Sequence, residues 1–235
     1  MTEIQLRGEL WDNDSADILR WCGWRDITAP MDIQAALEAA GGDDVTVLVN
    51  SPGGDMAVGG EIRSMFRRYA GHTTALVQGF AASAATLAAA GCRRIQAEPG
   101  ALLCYHNPSS ETGGDFRAMY RSGESLEAAR DGVVAIYLAR PGLKASREEL
   151  IELMDKDIWI DPGRALEMGL IDEIVGQAEE DGAPAAFVAS SGRRLRITQA
   201  MRDAYGAHKT RERAEAARRE TAQRALARCR ALAAY

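Results

Sequence analysis

Ser83 stands in the run Gly79-Phe-Ala-Ala-Ser-Ala-Ala-Thr, between an apolar strand-like stretch and an alanine-rich helix-like one. A serine nucleophile needs an exposed hydroxyl and a neighbouring base. The first turn of a helix also aims free backbone N–H groups at nearby negative charge. Small alanines around the serine leave room for a substrate backbone. The plainer alternative is that Ser83 only caps the helix. A base is found by elimination, because the chain has three histidines, His72, His106 and His208. His208 lies in a basic tail, and His72 opens a strand at the end opposite the presumed site. His106 ends an apolar stretch and precedes Asn107-Pro108. Its ordinary pKa near 6.5 suits a general base, although a lone histidine there also fits a structural role. Gly53-Gly54, after Pro52, permits backbone angles that free an N–H to stabilise an oxyanion. An ordinary tight turn is the alternative. A phosphate loop is a poorer reading, since no Gly-Lys-Ser/Thr follows and Asp55 would repel phosphate. For the acid, Asp155, Asp157, Asp161 and Asp172 all lie in a suitable stretch. Asp161 has a local task as a helix cap, and Asp157 precedes Ile-Trp-Ile, which can bury it beside a sheet.

The elements that must position these groups alternate. Ile4–Leu10 reads as a first strand, ending at the polar run 12–15. A helix is predicted over Met31–Ala40, stopped by Gly41-Gly42, and Val45–Val49 is a short β-branched strand of the buried parallel kind. A helix follows the Ser51-Pro52-Gly53-Gly54 turn, with Ile62, Met65, Phe66 and Tyr69 on one face. Thr73–Val77 is the next strand, breaking at Gly79. Arg94–Ala97 and Ala101–Tyr105 are two more. Phe116–Leu138 is one long helix. Ser146 and Glu149 form a capping box for a helix to Met154. Asp161-Pro162 opens another that Gly169 closes, and Ile171–Val175 is a final strand. This order predicts an α/β fold with mainly parallel strands. Sites in such sheets form past the strands' carboxyl ends, where Gly54, Ser83 and His106 all fall.

Composition bounds the rest. The 235 residues suit one compact domain plus an appendage. No apolar run is long enough to span a membrane, and Met1–Arg7 lacks a signal-peptide pattern. The four cysteines form no Cys-x-x-Cys pair, so neither a zinc site nor a disulfide framework is expected, and a reducing cytoplasm is the natural setting. From Arg193 onward the chain carries twelve Lys/Arg against four Asp/Glu, a net of +8, whereas the whole chain is −6. The tail lacks interleaved aromatics and its stripe of Leu226, Cys229 and Leu232 is thin, so nucleic acid is not the expected partner. A solvated helix or a partner-docking arm fits better. Trp11, Trp21 and Trp24 read as packing or interface groups. The expected organisation is a body at 1–178, a linker at 179–192 and a basic helical extension at 193–235.

Four segments in order, Asn50-Ser-Pro-Gly-Gly-Asp, Gly79-Phe-Ala-Ala-Ser, Leu103-Cys-Tyr-His-Asn-Pro and Asp157-Ile-Trp-Ile with Ala165-Leu-Glu-Met-Gly-Leu-Ile-Asp, resemble the Clp peptidase superfamily. Within it they are most similar to the Clp-like head maturation proteases of tailed phages. The likeness covers about residues 3–176. It implies a Clp/crotonase-like stack of β-β-α turns with an extended helical handle at 116–154, closing into rings. It implies a triad of Ser83, His106 and Asp157, with an oxyanion hole from the N–H groups of Gly54 and Ala84. The nucleophile is followed by Ala84 where methionine is usual, which a backbone N–H tolerates. The resemblance implies no metal, nucleotide or organic cofactor. The expected activity is that of a serine endopeptidase acting on capsid or scaffold protein in the host cytoplasm. Because the chain starts almost at its first strand, docking to a Clp ATPase is not expected. The rivals are a degradative Clp peptidase working with an ATPase, and a non-catalytic ring or scaffold protein. A crotonase-type acyl-CoA enzyme shares the fold, but the Ser/His/Asp set argues against it.

Overall fold

The computed structural model of the chain describes residues 2–176 and 197–232. They fall into two compact units, 2–16 with 25–176, and 17–24 with 197–232. The expected linker 179–192 lies outside the described residues.

In the first unit, β1 (Thr2–Leu10), β3 (Val45–Gly54) and β4 (Thr73–Ala82) form the centre of a sheet. Apolar residues alternate along them because one face is sealed by helices. Ile4 pairs with Val47 and Leu6 with Val49, Val47 and Val49 lie beside Ala75 and Val77, and all six are buried. Helices α2 (Pro30–Ala40) and α3 (Met56–Arg68) contribute Ile33, Ile62 and Phe66 to the same core. The order is β2-β1-β3-β4-β5-β8, with β2 (Ile27–Thr28), β5 (Arg94–Ala97) and β8 (Glu173–Ile174) all parallel. The expected α/β fold is the one observed.

Two local readings change. The polar run 12–15 ends β1 as expected, but it also starts a helix that the sequence reading left out. Asp12 accepts the Ser15 N–H at 2.9 Å and opens α1 (Asn13–Trp21), so residues that cap a helix read only as a break. Nor does β4 stop at Gly79. It pairs with β5 through Thr74–Val77 and then with β6 (Leu102–Cys104) through Phe80–Ala82. Gly79 lies within the strand, and a β-carbon there would come 2.7 Å from Asn50 Oδ1, so any side chain at 79 would displace that amide.

Helix α5 (Phe116–Leu138) has the bounds its sequence predicts. Its last turns bury Val133, Val134 and Tyr137, whereas residues 116–132 carry no buried side chain. The Ser146–Glu149 capping box opens α6 (Arg147–Lys156). Asp161 caps α7 (Pro162–Glu167) by accepting the Arg164 N–H at 2.9 Å.

Just past α5, buried Arg140 bonds Gly169 O at 3.3 Å and pairs with Asp172 at 2.5 Å, and Asp172 also accepts the Ile95 N–H at 2.7 Å. Arg140→Leu strands that carboxylate beside the sheet. With Asp172 partly open to water, a cost of about 2 kcal/mol is expected, below the 3–5 kcal/mol of fully buried pairs. A melting scan should show Tm lowered by about 4–8 °C. An unchanged Tm would mean that the pair adds no net stability.

In the second unit, α8 (Gln199–Leu232) packs its first turns on residues 17–24. Tyr205 meets Trp21 edge-on at 5.9 Å and donates to Asp17 at 3.2 Å, while His208 lies 5.4 Å from the Trp21 ring. Within this unit residues 199–232 are helical, and Trp21 packs against the first turns of that helix. The side chains of Leu226, Cys229 and Leu232 lie outside the described residues. No helix among the described residues is long and apolar enough to cross a membrane.

Candidate active site

Strand β3 runs straight through Pro52, where the sequence suggested a turn. A register shift against β1, where Arg7 pairs with Asn50 but Glu9 with Gly53, absorbs the proline, as bulges do. Buried Ser51 replaces the lost ladder bonds by donating to Gly8 O at 2.6 Å and accepting the Gly53 N–H at 3.1 Å. Gly53 (φ 87°) must be glycine, since a β-carbon there would sit 2.7 Å from Ser83 Cβ and 2.8 Å from Ala84 N. The end of β3 is thus pressed against the nucleophile candidate. Gly54 follows, with its backbone against Leu10 of β1.

Ser83 occupies φ 55° and ψ −129°, a conformation that costs a non-glycine residue about 1–3 kcal/mol. Three backbone ties hold it there. Its N–H donates to Cys104 O at 3.0 Å, and its carbonyl accepts from Thr86 N at 3.0 Å and Thr86 Oγ1 at 2.6 Å. The hydroxyl makes no cap to α4 (Ala84–Ala89), so the capping alternative fails. Glycine-tight packing of Gly59 on Ala84 O fixes α4 against α3.

His106 lies two residues beyond Cys104, which pairs with Ala82 in the β4–β6 ladder. The candidate serine and histidine thus leave neighbouring strands side by side. The His106 Nδ1 faces its neighbour's carbonyl, Asn107 O, at 2.7 Å. Only an Nδ1–H satisfies that contact, which leaves Nε2 with the free lone pair. Among the described residues no hydrogen bond joins Ser83, His106 and Asp157 to one another.

The four acids separate by partner. Asp155 accepts from Asn107 Nδ2 at 2.7 Å, Asp161 caps α7, and Asp172 binds Arg140. Asp157 ends α6 in the left-handed region at φ 47° and is exposed. Antiparallel pairing of β6 with β7 (Trp159–Ile160) brings it to Cys104, whose thiol points to Asp157 Oδ1 at 3.8 Å. Burial, and then the Asp157 charge, push the Cys104 thiol up to about 12, so it stays protonated beside the carboxylate.

Cys104 therefore adjoins all three candidates: its carbonyl holds Ser83, its thiol faces Asp157, and His106 follows it closely in the chain. Sequence reasoning missed that role, and also missed Thr86 and the Phe80–Trp159 edge-to-face pair (6.0 Å) across β4 and β7. The one available signal was that Cys104 sits two residues before His106, inside an apolar strand.

A model of the Clp protease family matches residues 29–178, a span that includes Ser83, His106 and Asp157 and excludes the basic extension. The chain is 31% identical over 147 residues to the ATP-dependent Clp protease proteolytic subunit 1 of Streptomyces avermitilis, covering 61% of this chain and 65% of that one. It is 31% identical over 134 residues to the proteolytic subunit of Mesostigma viride (56% and 58% covered), and 29% identical over 144 residues to subunit 1 of Protochlamydia amoebophila (59% and 68%). The chain thus spans roughly three-fifths to two-thirds of these relatives' length. With the fold and the strand-end cluster already pointing the same way, this chain belongs to the Clp protease family.

Proposed function

We propose that the protein is a serine peptidase in which Ser83 attacks the peptide carbonyl. His106 takes the serine proton and returns it to the leaving amine, and Asp157 orients and charge-stabilises the imidazole. The N–H groups of Gly54 and Ala84 receive the oxyanion. The observation that carries this reading is the strained Ser83, its hydroxyl making no cap bond, at the end of the strand next to the one that leads to His106, whose Nδ1 faces a carbonyl and leaves Nε2 to meet the serine. Asp157 contacts Cys104 rather than His106 here, so the imidazole must turn toward it for the third role to be filled.

The relatives are subunits of ATP-dependent Clp proteases, which favours the degradative alternative over capsid maturation. Their names give no support to the expectation that an ATPase partner is lost. The proposed substrate is therefore unfolded polypeptide delivered by a Clp ATPase, in the cytoplasm. A fluorophosphonate probe should label Ser83, located by peptide mapping. Casein turnover should rise when a Clp ATPase and ATP are added. Labelling without such stimulation, together with cleavage of a capsid or scaffold protein alone, would reinstate the head-maturation reading. Absence of labelling would leave a non-catalytic ring protein.

Ring assembly belongs to the same proposal. The unburied half of α5 exposes Phe116 and Tyr120, 66% and 73% accessible, beside Met119. Such a stripe suits an interface between copies. Sedimentation at micromolar concentration should give a closed oligomer, and Phe116→Glu with Tyr120→Glu should disperse it. A wild-type monomer would overturn the assembly.

A further inference from the structure

Thr86 lies three residues past Ser83, and its hydroxyl donates to Ser83 O at 2.6 Å. Alone this is the common back-bond of a threonine in a helix's first turn. Two further facts set it apart. The carbonyl it holds belongs to the one residue in the cluster at φ 55° whose peptide must stay put for the hydroxyl to be aimed. And Thr86 Oγ1 has a second partner, the Tyr137 hydroxyl at 2.7 Å, 51 residues on and fully inside the core.

A hydroxyl has one proton. If Thr86 gives its proton to Ser83 O, Tyr137 must donate to Thr86, and the bonds point one way, from α5 to the serine. Burial pushes the Tyr137 phenol well above its ordinary range, so it remains a donor at any working pH. The Tyr137 ring also meets Tyr105 edge-on at 5.2 Å, and Tyr105 directly precedes His106. One side chain of α5 therefore braces the serine through its hydroxyl and the histidine's neighbour through its ring.

Resting on the peptidase reading, we propose that Thr86 and Tyr137 are positioning residues, a hydroxyl relay from α5 that fixes the Ser83 turn for attack. The relay makes the serine's aim depend on how the buried end of α5 is seated. It acts on the chemical step and not on substrate affinity, because neither hydroxyl is free to reach substrate.

The test uses the full-length protein. Thr86→Val keeps the shape and removes the relay; kcat for a small peptide should fall about tenfold or more, with KM within about twofold, since small misplacements of a nucleophile are costly. The rate of fluorophosphonate labelling at Ser83 should fall in parallel. Thr86→Ser, which keeps the hydroxyl, should restore both to within about twofold. Tyr137→Phe keeps the ring on Tyr105 and should lower kcat about three- to tenfold. Combined with Thr86→Val it should add nothing further, as expected of two groups in one network. A Thr86→Val protein with lowered Tm but unchanged kcat and labelling rate would reduce the bonds to packing and overturn the relay. Additive effects in the double variant would remove Tyr137 from it. Failure of the wild type to label at Ser83 would overturn the peptidase reading and the relay together, whereas normal wild-type labelling that Thr86→Val leaves unchanged would overturn the relay alone.

Discussion

Ser83→Ala should leave a folded protein whose peptide cleavage falls below about a thousandth of wild type, because removing a triad serine costs far more than that. The structure separates this loss from any loss of stability. The Ser83 hydroxyl makes no cap bond, and the three ties on the turn are to backbone groups that alanine keeps. Melting should therefore stay within about 0.5 kcal/mol of wild type. Ser83→Gly is a sharper companion. It is equally inactive, yet at φ 55° and ψ −129° glycine is relieved of the strain, so this variant should be more stable by about 1 kcal/mol. An inactive, stabilised Ser83→Gly would be the signature of a turn held strained for use. Residual cleavage above a thousandth in either variant would point to a different nucleophile.

The second large effect is expected at Asp157. Asparagine preserves the shape of the side chain and tolerates the left-handed conformation that residue 157 adopts at φ 47°, so Asp157→Asn should melt like wild type. Turnover should nevertheless fall. In a well-studied triad the same change costs about ten-thousand-fold, part of it from the wrong imidazole tautomer. Here the Asn107 carbonyl can still hold Nδ1–H, so a loss between about a hundred- and ten-thousand-fold is expected. Asp161→Ala should show the reverse pattern: about 0.5–2 kcal/mol less stable through loss of the α7 cap, with turnover unaffected at a temperature where the protein is folded. Paired melting and single-turnover measurements distinguish the two. A loss below about tenfold at Asp157, with wild-type melting, would make the site a Ser–His dyad oriented by a main-chain carbonyl.

What could be read from the sequence was local. The bounds of α5, the Ser146–Glu149 box and the Asp161 cap each depend on residues within a few positions of one another, and all three stand in the structure as read. Val45–Val49 was legible because alternate β-branched residues fill one sealed face. Helix α1 was lost because a cap and a loop share their polar residues, and here the cap was at stake. The continuation of β3 through Pro52 and of β4 through Gly79 depends on neighbours that change along the strand, which no periodicity encodes. The candidate site divides in the same way. Ser83, His106 and Gly53-Gly54 became candidates from their places at strand ends, but the sorting of the four acids needed their partners, and the Cys104–Asp157 and Thr86–Tyr137 contacts span more than fifty residues.

Those long separations also set an order of assembly. The Thr86–Tyr137 bond spans 51 residues and the Cys104–Asp157 contact 53. Closing loops of that size waits for the whole intervening chain and is slow compared with forming a helix. On the ribosome, Ser83 emerges with Thr86 but before Cys104, Tyr137 and Asp157, so its costly backbone geometry lacks part of its bracing meanwhile. On the peptidase reading proposed above, a nascent chain thus carries an incompletely braced serine until translation has passed α6 and the body has closed around it.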